Sequence, residues 1–348
     1  MRIRFVTFGL LLPIVSCKEN TQGPPPSVLP DTTSHHIAWV TDSMGYYSSR
    51  LNDVWGTSET NVYAVGLIQT EGTELARFIT HFDGARWDTL RDDSLSRWIG
   101  AGVLSGIHGL NDTTIFICGT AYNRKAYGFV GMWNGHRWRN ITPDNSVSSV
   151  GFFSVWARSS SDVYMGGESG TILRYENGRW KKLQSPTQLD VWKIIALSNG
   201  KVYGVASDYF NSFAGSMVMR IEGDNIYQDY FIPGGRMFSI WGANDSELYV
   251  TGEGTFHKQG GGNWTQVQTP NPRVALFTLT GTGANNILIG GSYGAVLHWS
   301  GSSWMFYDGL YDRSSFKSYD AAFIIGTKYF VVGNTGSHAM ITVGTRIG

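Results

Sequence analysis

The sequence predicts an all-β fold, a seven-bladed β-propeller of four-stranded antiparallel blades closed by an N-terminal strand. Three observations predict it. A strand-rich repeat recurs with closing residues 39 to 53 positions apart, each copy carries a tight turn followed by a large ring, and the last copy is one strand short.

The repeat is clearest at residues 152–183. Its first strand opens on a large apolar residue (Leu51, Leu104, Phe152, Val191, Met237, Leu276), with another apolar residue three positions on (Val54, Ile107, Val155, Ile194, Ile240, Leu279). Eight positions later a second strand begins its apolar run (Val62, Ile115, Val163, Val202, Leu248, Ile287), closed four positions on by Gly66, Gly119, Gly167, Ala206, Gly252 and Gly291. Runs this short, rich in Val, Ile, Tyr and Phe and punctuated by Gly, Asn, Asp and Ser, are strands. Asp83-Gly84, Asn134-Gly135, Asn177-Gly178 and Ser300-Gly301 supply the tight turn of a second hairpin. A ring follows at Trp87, Trp138, Trp180, Tyr227, Trp264 or Trp304. One blade alone cannot bury that ring, whereas blades packed side by side can.

A looser seventh copy around residues 329–333 has room for only three strands, the last near 339–343. The strand to complete it is sought at the other end of the chain, where residues 37–40 carry Trp39, expected to be a buried ring.

Before the propeller, assigned to 35–348, come two segments. Residues 1–17 have Arg2 and Arg4, an apolar run and then Ser16-Cys17, the pattern of an export signal too short to span a bilayer. Ile14-Val15-Ser16-Cys17 resembles the lipobox of bacterial lipoproteins, which implies acylation of Cys17, cleavage before it and a membrane held through that anchor. Lys18-Glu19 weakly resembles the surface-export tag of Bacteroidetes lipoproteins. Residues 18–34 carry Pro24-Pro25-Pro26 and Pro30 among small polar residues and form a flexible linker. The expected address is the bacterial cell envelope, at the outer membrane.

Composition narrows the partners. Twenty-seven Lys and Arg balance 27 Asp and Glu, and no basic run supplies the electrostatic footprint of a nucleic-acid binder. Apart from Cys17 the only cysteine is Cys118, inside a strand, which excludes a disulfide framework. Residues 290–294 match G-x-S-x-G, yet they lie between two strands rather than at a strand-to-helix elbow, so a glycine-rich turn is the better reading. His81, His257 and His298 occupy one place in three separate blades, too far apart to share a metal ion. Neither a catalytic set, a metal site nor a cofactor motif is expected.

The pattern Val54-Trp55-Gly56, Val62-Tyr63-Ala64-Val65-Gly66 and Asp83-Gly84-Ala85-Arg86-Trp87 resembles the tandem repeats of bacterial surface propellers. Gly166-Gly167 and Gly290-Gly291, with Tyr175 and Trp180 following, resemble kelch repeats more distantly. Both resemblances imply the propeller, and the functions of such proteins vary and are mostly binding.

Length variation locates the candidate site. The first hairpin keeps its spacing in six copies, while the connections on the opposite face of the disc vary, notably at residues 67–78, 120–129 and 207–216. Binding residues favour variable loops on a rigid frame. The candidate ligand-binding residues there are Arg50, Trp98, Tyr122, Arg124, Tyr209, Arg236, Arg273, Tyr311, Arg313 and Lys317, aromatic and cationic groups of the kind recognition surfaces concentrate. The residues just before each first strand, among them Arg50, Asp190, Arg236 and Lys317, are expected to converge on the channel. The leading expectation is a lipid-anchored binding module for a glycan or an envelope protein. The alternatives are a glycan lyase or hydrolase using Asp92, Asp93, Asp208 or Asp312, and a structural subunit of an envelope assembly.

Overall fold

A computed structural model describes residues 32–72, 76–144, 147–148, 150–270 and 273–347. Cys17, the export signal and the linker up to residue 31 lie outside the described residues.

The strands form seven four-stranded antiparallel sheets arranged as the blades of a propeller. The innermost strands are Arg50–Ser58, Val103–Asn111, Phe152–Ser159, Asp190–Ala196, Met237–Asn244, Leu276–Gly283 and Ser318–Ile325, each neighbouring the next around the ring. Blade 7 contains Ser318–Ile325, Lys328–Asn334 and Ala339–Arg346 and is completed by Ile37–Met44. That strand runs in unbroken register from Ile37 opposite Arg346 to Met44 opposite Ala339, which joins the two ends of the described propeller.

Second strands such as Val202–Ser207 and Asn286–Gly291 are buried at every position because a neighbouring blade covers each face. They therefore read as continuous apolar runs rather than alternating ones. The core lies in layers between blades: Leu51, Val62 and Phe82 of blade 1 pack with Phe330, Val332 and Ile341 of blade 7. Each such side chain contributes about 1.5–3 kcal/mol on burial. Trp55 of blade 1 and Trp241 of blade 5 lie against Gly109 and Gly281 of the next blades, where a Cβ would run into the indole ring.

Every innermost strand carries a β-bulge at one and the same place, one residue after its first apolar position. A bulge leaves one residue outside the ladder and re-aims its side chain. Repeated seven times, it turns Asn52, Ser105, Phe153, Trp192, Phe238, Phe277 and Asp320 into the central channel, and all seven line one cavity there.

Four features differ from the sequence expectations. Residues 120–129 are not a loop: strands Thr114–Asn123 and Lys125–Trp133 continue in register to a tight turn at Arg124, whose φ is 71°. A short helix, Asp93–Ile99, follows blade 1, started by Asp92, which accepts hydrogen bonds from the backbone of Ser94 and Leu95. Tyr227 is exposed under Arg220, and Tyr230 is the blade 4 ring that stacks on Trp264, centroids 5.9 Å apart. Trp39 is half-buried rather than fully enclosed, held edge-on to Tyr307 at 5.2 Å. Among the described residues no helix is long and apolar enough to cross a membrane.

Candidate functional site: the channel mouth

The channel opens among the variable connections into a cavity of 690 Å3, within the range of ligand pockets. Its wall is asymmetric because the seven bulge residues are. Blades 3 to 6 present Phe153, Trp192, Phe238 and Phe277 as a continuous apolar arc, while blades 7, 1 and 2 present Asp320, Asn52 and Ser105. Along the arc Phe153 stacks on Trp192 at 4.5 Å and 13°, Phe238 meets Trp192 edge-on at 5.7 Å, and Phe277 lies 5.4 Å from Phe238. Tyr209, from the connection after the second strand of blade 4, extends the arc toward solvent, 5.9 Å from Trp192.

The polar side holds the charges. Asp320 accepts hydrogen bonds from the Ser318 hydroxyl and, at 3.2 Å, from the Asn334 amide. Burial raises its carboxyl above the ordinary range, while those bonds and the charge of Arg50 favour the anion. Arg50 and Lys317 line the same side, and neither forms an ion pair among the described residues.

One residue further along the innermost strands, an ion pair crosses the channel. Lys193 Nζ of blade 4 lies 3.3 and 3.4 Å from the two carboxylate oxygens of Asp53 in blade 1. Asp53 also accepts the backbone N–H groups of Val54 and of Ile107 in blade 2. His108, nearby, packs against Trp156, ring centroids 4.0 Å apart and tilted by 31°. Burial, with the charge of Lys193 adding to it, holds the His108 imidazole to about 3, so it stays neutral.

Of the residues singled out by sequence, Arg50, Tyr209 and Lys317 line this cavity. Arg236 does not converge on it with them. Its guanidinium pairs with Glu253 and donates to the Tyr209 carbonyl at 2.8 Å, because the turn after the second strand of blade 5 brings Glu253 beside it. Trp98, on the short helix, packs toward Phe129. Tyr122 and Arg124 are at the tip of the blade 2 hairpin. Arg273 borders a separate polar groove with Arg236 and Glu253, Tyr311 packs on Phe306 at 5.4 Å, and Arg313 is exposed. Asp190 borders a side groove of its own. The four carboxylates considered for catalysis serve their own loops. Asp92 caps the helix, Asp93 pairs with Arg77 and Arg91, and Asp208 and Asp312 accept hydrogen bonds from the turns they begin.

No known protein family's profile matches the chain. A 117-residue stretch is 28% identical to Immune protein Tsi7 of Pseudomonas aeruginosa, covering 32% of this chain and 35% of that protein. The chain thus spans about a third of the length of this curated relative. Among solved structures, catalytically inactive virginiamycin B lyase from Staphylococcus aureus with quinupristin is similar at a TM-score of 0.67 and 12% identity, over 89% of this chain and 100% of that one. YCF48 bound to D1 peptide is similar at 0.63 and 15%, over 88% and 96%. YCF48 from Cyanidioschyzon merolae gives 0.64 and 15%, over 88% and 98%. These are likenesses of fold.

His81, His257 and His298 each bond within their own blades, to Asn61, Glu247 and Asn286 at the start of the second strand. His298 additionally meets His35 at 2.9 Å, Nδ1 to Nδ1, and this contact fastens the segment entering the closing strand. Burial, followed by the charges of His35 and Arg346, lowers the His298 pKa to about 3.

What sequence reasoning missed is the aromatic arc and the Asp53–Lys193 crossing. The signal was available. Phe153, Trp192, Phe238 and Phe277 occupy one repeat position, and a large ring next to an already apolar residue breaks strand alternation, which marks a bulge.

Proposed function

We propose that the protein is a binding module that takes a peptide segment of a partner protein in its channel mouth, held at the bacterial envelope through Cys17. The observation that carries this reading is the asymmetric bulge ring, an aromatic arc facing Arg50 and Lys317, two cations that form no ion pair among the described residues. Apolar side chains would lie on the arc, and a carboxylate would be received on the opposite side through charge-assisted hydrogen bonds. A glycan suits this wall less well. Sugars need open ring faces and donors, whereas one face of Trp192 is covered by Phe153 and its Nε1–H is committed to the Ser207 carbonyl at 3.0 Å. A propeller of similar shape, YCF48, has been solved with a peptide bound, which agrees with the reading.

The test is calorimetric titration of the soluble domain with a panel of short acidic peptides carrying Phe or Leu, alongside a glycan array. Peptide binding that falls about tenfold in Phe277→Ser and in Arg50→Gln, with unchanged melting, supports the reading. Binding to glycans alone, or peptide binding indifferent to both substitutions, overturns it. For the anchor, Cys17→Ser is expected to move the protein from the membrane fraction to the soluble fraction. Unchanged membrane partition would dismiss acylation at that residue.

A further inference from the structure

A second groove leads off the cavity between blades 3 and 4. It measures 450 Å3 and shares Phe153, Trp192 and Tyr209 with the main cavity, adding Phe210, Glu168 and Asp190. Its charge is opposite to that of the far wall. Asp190 uses one carboxylate oxygen to accept the Ser169 N–H at 2.9 Å, and Glu168 forms no ion pair among the described residues. Among the described residues no lysine or arginine lines the groove. The Phe210 ring is 93% exposed.

Carboxylates beside aromatic faces are the surroundings in which an ammonium or guanidinium group is most favourable, since the ring quadrupole and the anion attract it together. The protein already uses this arrangement beside the groove, with the Arg236 guanidinium 5.9 Å from the Tyr209 ring and balanced by Glu253. Across the channel, at blades 7 and 1, stand Lys317 and Arg50. The two poles face each other at close range, because the single side chain of Lys193 reaches from blade 4 to Asp53 of blade 1 just beneath them.

We infer that the groove between blades 3 and 4 is a cation subsite, so that the channel mouth selects a short peptide segment with a Lys or Arg at one end and a carboxylate at the other. This rests on the peptide-binding reading above and adds to it a direction. The cationic side chain lies between Phe210 and the Glu168–Asp190 pair, the apolar middle crosses Trp192 and Phe238, and the carboxylate ends at Arg50 and Lys317. A segment of the reverse polarity would place like charges together at both ends.

The experiment uses the soluble domain and Nα-acetylated peptides of sequence Lys-Ala-Leu-Phe with a free carboxylate, lengthened by one to three alanines. Each is also made with an acetylated lysine side chain or a C-terminal amide. In the native domain both modifications are expected to weaken binding about tenfold, one desolvated charge contact each. In Glu168→Gln/Asp190→Asn, which keeps shape and the Ser169 hydrogen bond, lysine acetylation is expected to cost less than about twofold, while the amide still costs its full amount. Arg50→Gln/Lys317→Gln is expected to give the converse. If lysine acetylation costs the same in the native domain and in the Glu168/Asp190 variant while the amide effect persists, the cation subsite is wrong and the peptide-binding reading stands. If no peptide binds the native domain at about 1 mM, a contribution below about 4 kcal/mol, both fall.

Discussion

Removing the closing strand is the perturbation that tests the architecture most directly. A chain beginning at Thr32 retains the eight-residue pairing of Ile37–Met44 with Ala339–Arg346, whereas a chain beginning at Gly45 loses it. The backbone hydrogen bonds gained by this strand are largely offset by the entropy of ordering it, since net values of about 0.5–1.5 kcal/mol per bond meet an ordering cost of about 1–2 kcal/mol per residue. The surplus comes from side chains. Trp39 against Tyr307 and Tyr329, with Ile37 in the same cluster, contributes about 3–4 kcal/mol at half burial. The contacts of His35 with His298 and Ser303, and of the His35 carbonyl with the Tyr307 hydroxyl, add about 1–2 kcal/mol. Loss of about 4–6 kcal/mol corresponds to a fall of about 6–9 °C in a domain of this size. It also bares Ala339–Arg346 as an open edge, so association should rise with concentration. Thermal melts and light scattering on the two truncations read both effects. Melting temperatures within about 3 °C of each other, with no added association, would refute closure as a source of stability. Trp39→Ala alone should cost about 2 kcal/mol, less than a fully buried ring, because part of the indole faces solvent.

Three further outcomes are expected. Lys193→Met strands the Asp53 carboxylate, whose side chain is 7% exposed, and should cost about 2–3 kcal/mol in chemical denaturation; equal stability would mean that Asp53 is satisfied by Val54 and Ile107 alone. His298 has a folded pKa lowered by burial to about 3 from 6.5, so the unfolded chain binds more protons between those values and stability falls as pH drops below 6.5. At pH 5 its share of the loss is about 2 kcal/mol, and His298→Gln should remove that share while the similar one of His108, also held to about 3, remains; an unchanged slope would assign the acid sensitivity to other groups. Arg236→Ala should leave ligand affinity unchanged and cost under about 1 kcal/mol, since its partner Glu253 is partly solvated; a large loss of affinity would return Arg236 to the site.

The blades, their strands and the closing strand were legible in the sequence because they rest on local patterns: apolar residues at fixed offsets, Asn-Gly and Asp-Gly turns, and an aromatic beside each outer hairpin. The wall of the channel was not. The bulge after Leu51, Leu104, Phe152, Val191, Met237, Leu276 and Tyr319 is present in every copy, so it leaves the spacing between strands constant and produces no gap in the repeat. Counting by strict alternation sends attention to the residue before the first apolar position, and that choice reached Arg50 and Lys317 but also Arg236. The Glu253 that occupies Arg236 lies 17 residues away on a connection of variable length, and only folding brings it near. The blade 2 insertion misled for a related reason. Thr120 to Phe129 alternates well enough to extend a hairpin, and added length alone does not distinguish a longer hairpin from a loop.

The bulge also separates two duties that would otherwise compete for the same side chains. One residue beyond the lumen position in blades 1, 3 and 5, Asp53 accepts the N–H of Ile107, Ser154 that of Ile194 at 3.0 Å and Ser239 that of Leu279 at 3.1 Å, so each binds its blade to the next. These bonds are buried and hold the ring together. Phe153 and Phe238, immediately before two of them, carry no such bond and face the cavity, whereas Asn52 faces it and also donates to the Leu104 carbonyl of blade 2 at 2.7 Å. A substitution at an aromatic lumen position therefore changes the channel wall at little cost to the ring, whereas one at Asp53, Ser154 or Ser239 leaves a buried N–H unpaired, a penalty of about 1–3 kcal/mol. Gly106 and Ala321 have no polar side chain at that position, and Lys193 uses it differently. It occupies the ring-binding position of blade 4 yet reaches across the channel to Asp53, tying two distant blades beneath the cavity. The floor of the mouth is thereby fixed by the same carboxylate that joins blades 1 and 2, which leaves the wall above it little freedom to retreat.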